Sequence, residues 1–224
     1  MNTTPSVVPA ITPKRAHLEQ FFSRIDPVRG RLIFALDATA SRQPTWDTAA
    51  QLTTQMFATV AAIGGLDIQL VFYRGHDECT ASRWQSDARA LAAAMQRVSC
   101  MAGHTQIRRV LNHARRESTK QKVNALVLIS DACEERPADL YNAARELCDV
   151  PVFMFPEGDD EHVGGIYAEV AQLSGGAHSR FDSGSVQRLA DLLKAVAAFA
   201  AGGVKALSAQ KSEAARLLLT QIKK

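Results

Sequence analysis

The sequence has no C-x-x-C pair, no glycine-rich phosphate fingerprint, few aromatic residues and almost no excess of either charge. Each absence removes a class of protein. The four cysteines, Cys79, Cys100, Cys133 and Cys148, are too widely spaced for a metal clip, and in a cytosolic chain they read as reduced thiols. No G-x-G-x-x-G or G-x-x-x-x-G-K-[ST] follows an apolar run, which argues against a nucleotide-binding Rossmann domain. The formal net charge is only +3. The basic pairs Arg108-Arg109 and Arg115-Arg116 fall on helical stretches as solvated faces, so no nucleic-acid partner is expected. No stretch reads as the roughly 20 apolar residues that span a bilayer, and Met1 to Pro13 lacks a basic-then-apolar signal pattern. The expectation is a cytoplasmic protein with no membrane partner.

What remains is an ordinary globular composition: 224 residues, 46% hydrophobic and 22% charged. Residues 1–29 form a proline-bearing leader, with a short helix expected over 14–24 because Leu18, Phe21 and Phe22 share one side. An ordered domain is expected over 30–203. Apolar runs at Arg31–Leu36, Ile68–Tyr73, Val123–Ser130, Val152–Phe155 and Ala177–Phe181 read as strands, with a short edge strand expected between Gly75 and Trp84. Between them, helices are expected over 45–63, 86–98, 105–117, 137–148, 161–173 and 185–201, the last ended by Gly202-Gly203. Alternating strands and helices predict an α/β fold: a doubly wound, mostly parallel sheet with helices on both faces. Residues 204–224 carry a further amphipathic helix with Leu207, Ala214, Leu217, Leu218 and Ile222, able to pack on the domain or on a partner.

In open sheets of this kind ligands bind beyond the carboxyl ends of the strands. There the first strand runs into Asp37-Ala38-Thr39-Ala40-Ser41, the loop before the third helix supplies Gly103-His104-Thr105, and the central strand ends in Ser130-Asp131. A hard cation such as Mg²⁺ takes a near-octahedral shell of about six oxygens and keeps several waters. Asp37 and Asp131 supply charge, directly or through water. The hydroxyls of Thr39, Ser41 and Thr105 fill the shell without adding repulsion. So few formal charges leave the ion electron-poor and ready to accept a carboxylate from outside.

This three-part pattern resembles the von Willebrand factor A (VWA) family and its metal-ion-dependent adhesion site: Asp-x-Ser-x-Ser after the first strand, a threonine from a later loop, and an aspartate after the central strand. Asp37, Ser41, Thr105 and Asp131 match by type and order. Thr39 departs from the usual serine but keeps the hydroxyl. The resemblance covers roughly residues 30–200. It implies a VWA/Rossmann-like fold, one Mg²⁺ or Mn²⁺ on its upper face, and a protein partner whose acidic residue completes the shell. It implies no enzyme. Cytoplasmic bacterial members of the family work beside ATPases or in multi-protein assemblies, so a partner of that kind is expected.

Blander readings stand beside these. Asp37 and Thr105 are each suited to capping the helix that follows. His104 is a loop residue expected at the rim, with a softer-metal role as the alternative, and a zinc site from Cys100, Cys133 and His104 lacks ligand spacing. Glu134 and Glu135 read as solvated charges, or one of them closes the site until a partner arrives. His104, Glu134 and Trp46 are the candidate partner contacts, although Trp46 also fits a core position. The alternative function is a Mg²⁺-dependent phosphohydrolase of the haloacid dehalogenase type, with Asp37 as nucleophile, Ser130 in the second motif and Gly158-Asp159-Asp160 in the acidic one. That chemistry wants a lysine, sometimes an arginine, between the last two motifs to neutralise the phosphoryl oxygens. No lysine occurs between Ser130 and Asp160, although Arg136 and Arg145 do.

Overall fold

The computed structural model describes residues 29–147, 149–182 and 184–222. The leader and its expected helix over 14–24 therefore lie outside the described residues, apart from Arg29. Six strands form one sheet: β1 (Gly30–Asp37), β2 (Leu66–Arg74), β3 (Glu78–Ala81), β4 (Ala125–Ser130), β5 (Val152–Pro156) and β6 (Ala177–His178). Their order is β3-β2-β1-β4-β5-β6. All neighbours are parallel except β3, which pairs antiparallel with β2 at one edge. This is the α/β architecture expected from the alternating pattern.

β1 is apolar throughout because both of its faces are covered. Leu32, Phe34 and Leu36 point into one core cluster, and Ile33 and Ala35 into the other. The period of two divides a continuous apolar run between two layers of helices. On the first face lie α1 (Gln43–Val60), α2 (Ala88–Gln96), α6 (Val186–Ala209) and α7 (Glu213–Gln221). On the second lie α3 (Ile107–Lys120), α4 (Pro137–Arg145) and α5 (Glu161–Ser174). Each fully buried Leu or Phe in these layers contributes about 1.5–3 kcal/mol by leaving water.

The C-terminal segment differs from its expected form. Gly202-Gly203 bend the chain rather than end the helix: Gly203 takes φ 64°, ψ −159°, and helical turns resume to Ala209. Ser212 then caps a separate α7 by accepting from Ala215 N. Residues 205–222 are thus two helical pieces. They pack on the domain, with Leu207, Ala214, Ala215 and Leu218 fully or almost fully buried in the first core cluster. In length and composition α6 would suffice to cross a bilayer, contrary to the expectation that no stretch comes close. Here its Leu189, Leu192, Leu193 and Val196 are buried against the sheet instead.

After β1 the chain builds β2 and β3 on one side, then crosses to β4 on the other. The reversal falls between β1 and β4, where the carboxyl ends of adjacent parallel strands open a crevice. Register places Asp37 opposite Tyr73 and Leu36 opposite Ile129, so Ser130 and Asp131 rise beside Asp37.

Candidate metal site

Asp37, Thr39, Ser41, Thr105 and Asp131 line one cavity of about 260 Å³, together with Gly103 and Glu134. Three loops supply them, from points as distant in sequence as 37 and 131. The lining carries three carboxylates, Asp37, Asp131 and Glu134, and no lysine, arginine or histidine.

Asp37 is the deepest of them, 3% exposed. Its Oδ1 accepts from Thr39 N at 2.7 Å, which folds the loop back over the strand end. Its Oδ2 accepts from Ser130 Oγ at 2.8 Å and Tyr73 OH at 3.2 Å. The hydrogen bonds fix the carboxylate but do not neutralise it. Burial pushes its protonation up from the ordinary aspartate value, hydrogen bonds from Thr39 and Ser130 pull it down, and the charge of Asp131 adds to the rise. A buried anion of this kind is the feature a cation would stabilise. Asp37 does not cap a helix: the short 3₁₀ turn at Ala40–Arg42 has Thr39 at its cap position, with no side-chain bond.

The Thr105 loop is held by contact between two glycines. A Cβ on Gly103 would come within 2.2 Å of Gly75 N and O, so no larger residue fits there. The approach is closed by His104 N donating to Gly75 O at 3.0 Å, and Met101 N ties the same loop to Ala38 O at 2.9 Å. Thr105 and Glu134 bond reciprocally: Thr105 N donates to Glu134 Oε2 at 2.8 Å, and Glu134 N donates to Thr105 Oγ1 at 3.0 Å. Burial alone would raise the Glu134 carboxyl, but the bonds from Thr105, a bond from its own backbone amide and the nearby His104 together hold it below the usual value. The hydroxyl of Thr105 is therefore not a helix cap. Glu135 does that work, taking both Ile107 N and Arg108 N. Two loops are thus strapped together before any ligand arrives.

The other candidate contacts separate. His104 and Glu134 stand exposed at the rim, 4.0 Å apart from Nδ1 to Oε1, with His76 against the His104 ring. Trp46 does not reach the rim. It is 2% exposed, packs edge-on to Phe72 and donates its indole N–H to Met95 O at 3.2 Å. Its spacing with Ala49, Leu52, Thr53 and Met56 places it on the buried stripe of α1. Asp160 caps α5 through His162 N and Val163 N, which is a structural role. Among the described residues no three of His, Cys, Asp and Glu converge to hold a metal by themselves. That disfavours a zinc site, and it means any ion in the cavity depends on the hydroxyls.

Sequence reasoning missed Tyr73 and Arg42, and it named Glu135 without its role. Tyr73 ends β2 and meets Asp37 only through strand register. Glu135 completes a helix start that lacks its own cap, a gap visible at Gln106. Arg42 follows Ser41 directly, yet only the fold brings its guanidinium 3.0 Å from Asp131.

No protein-family model matches the chain, and no curated protein matches it. Solved structures do. The vWF domain of the type V pili tip protein Mfa5 from Porphyromonas gingivalis is 11% identical with TM-score 0.59, covering 84% of this chain and 98% of that one. An aerotolerance-related membrane protein from Bacteroides fragilis is 20% identical with TM-score 0.55, covering 72% of this chain and 96% of that one. The PilB minor pilin from Streptococcus sanguinis is 11% identical with TM-score 0.57, covering 78% of this chain and 64% of that one. Identities this low establish a shared fold, which is VWA-like.

Proposed function

We propose that the protein is a metal-dependent protein-binding module. Asp37, Thr39, Ser41, Thr105 and Asp131 would hold one Mg²⁺ or Mn²⁺, directly or through water, and an aspartate or glutamate of a partner protein would complete the shell. The observation that carries this reading is the convergence of those five oxygen-bearing side chains on one cavity free of basic residues. The donors are hard and mostly neutral, so an ion held there keeps positive character and gains from an outside carboxylate. The protein's own part is to hold the donors in place: Tyr73 and Ser130 steady Asp37, and Glu134 steadies Thr105.

Proteins of pilus assemblies share the fold, which supports protein contact as the setting. The partner is proposed to be a protein of a multi-protein assembly or an ATPase, met at the rim by His104 and Glu134. Catalysis is not proposed. No lysine or arginine lines the cavity to neutralise a phosphoryl group, and three hydrogen bonds engage the Asp37 carboxylate.

Calorimetric titration of Mg²⁺ and Mn²⁺ into wild type and Asp37→Ala tests the site, and capture of partners with and without EDTA tests the mode. Absence of binding by wild type, or equal binding by the variant, would overturn the metal assignment. Metal-dependent hydrolysis of a generic phosphoester that disappears in Asp37→Asn would replace this reading with the phosphohydrolase.

A further inference from the structure

Arg42 directly follows Ser41, yet its side chain is only 13% exposed. One terminal nitrogen lies 3.0 Å from Asp131 Oδ2, and the other donates to Glu157 Oε2. Nε reaches toward Ser41 Oγ at 3.5 Å. Glu157 is itself buried, and the same oxygen also accepts the Thr45 hydroxyl. Asp131 lines both the cavity described above and an adjoining depression of about 370 Å³ lined by Arg42 and Glu157. The Asp131 carboxylate therefore stands between the place proposed for the ion and a fixed guanidinium.

We infer that Arg42 is a built-in competitor of the metal ion: it neutralises Asp131 while the site is without metal and holds down the isolated protein's affinity for the ion, so that tight metal binding requires the partner's carboxylate. The inference rests on the metal-dependent binding proposed above. An arginine stays charged at all working pH values, and a partly buried pair is weakly screened by salt. A carboxylate shared with a guanidinium gives less to an ion, and a unit positive charge nearby repels a dication. Together these lower affinity on the order of tenfold or more. A partner's carboxylate brings the negative charge that offsets Arg42. Linkage then requires metal and partner to strengthen each other by the same factor.

The opposite role for Arg42, orienting Asp131 to receive the ion, predicts the opposite sign. The test is calorimetric titration of Mg²⁺ and of Mn²⁺ into wild type, Arg42→Gln, and Arg42→Gln combined with Glu157→Gln, with melting curves in EDTA and in metal. The double variant avoids leaving Glu157 as an unpaired buried carboxylate or a new ligand; the single variant serves if the double one does not melt cooperatively. Metal affinity at least about tenfold tighter than wild type, with a larger metal-induced rise in Tm, supports the inference. Equal or weaker affinity in a folded variant overturns it. If wild type binds metal and Asp37→Ala does not, that failure touches Arg42 alone. If neither wild type nor variants bind metal, the site reading falls and the inference falls with it.

Discussion

Replacing Asp37 by asparagine should leave the metal-free protein at or above its original stability and abolish stabilisation by Mg²⁺. The side chain is buried, and each of its hydrogen bonds can survive the change. Oδ1 can go on accepting from Thr39 N, while the hydroxyls of Ser130 and Tyr73, which donate to Oδ2, can turn and accept from the new amide nitrogen. What disappears is the charge. Burial raises the Asp37 carboxyl above its unfolded value, so its contribution to stability is fully present below the ordinary aspartate range and is lost as pH rises through the folded value. At neutral pH the ionised form opposes folding unless a cation compensates it, and the neutral amide removes that opposition. With metal the order reverses. Wild type gains about 2.7 kcal/mol at a hundredfold excess of Mg²⁺ over Kd, roughly 5–11 °C in Tm for a domain of this size, and the variant gains nothing. Thermal melts of both proteins in EDTA and in saturating Mg²⁺ provide the measurement. Repeated in EDTA at falling pH, the gap between them should narrow as Asp37 protonates. Equal Mg²⁺ stabilisation of both proteins would refute Asp37 as the anchor. A loss beyond about 2 kcal/mol in EDTA would refute the argument that its hydrogen bonds survive.

Gly103→Ala should cost about 1–3 kcal/mol, because the new methyl meets the Gly75 backbone. It should also weaken metal binding by displacing Thr105; titration showing unchanged affinity in the folded variant would remove Thr105 from the site. Trp46→Phe should lower stability by about 1–2 kcal/mol through loss of its bond to Met95 O. It should leave metal and partner affinity unchanged, and a change in either would return Trp46 to the rim. Glu117 is held below the ordinary glutamate value: burial pulls it up, but hydrogen bonds from Lys120 and Trp84, with the charges of Lys120 and His113, together outweigh burial. A depressed carboxyl contributes stability above its unfolded pKa that is lost as pH falls through the folded one. The urea midpoint of wild type should therefore exceed that of Glu117→Gln at neutral pH and converge with it in acid; a constant difference would refute the assignment.

Local chemistry was legible in the sequence. Alternation along Leu32-Ile33-Phe34-Ala35-Leu36 and the continuous apolar character of Ala125–Ser130 are properties of strands buried on both faces, and they need no knowledge of neighbours. The candidate donors were legible for the same reason: Asp37, Thr39 and Ser41 sit in one loop, and Thr105 and Asp131 follow the elements whose ends must meet at the crevice. Helix ends were less so. Gly202-Gly203 carry a stop signal, but packing against the sheet lets the helix resume beyond the bend.

The sequence by itself determined the α/β alternation, the mostly parallel sheet and the oxygen-bearing side chains that gather at the carboxyl ends of its strands, because periodicity and short-range spacing act within a few residues. Only the tertiary structure decided that Trp46 turns inward, that Glu135 rather than Thr105 caps α3, and that Arg42 closes on Asp131 and Glu157. Each of these depends on strand register and loop approach between residues tens of positions apart. A hydrogen bond or ion pair forms only at a few ångströms, and one residue of slip in the sheet would turn every such partner to the opposite face.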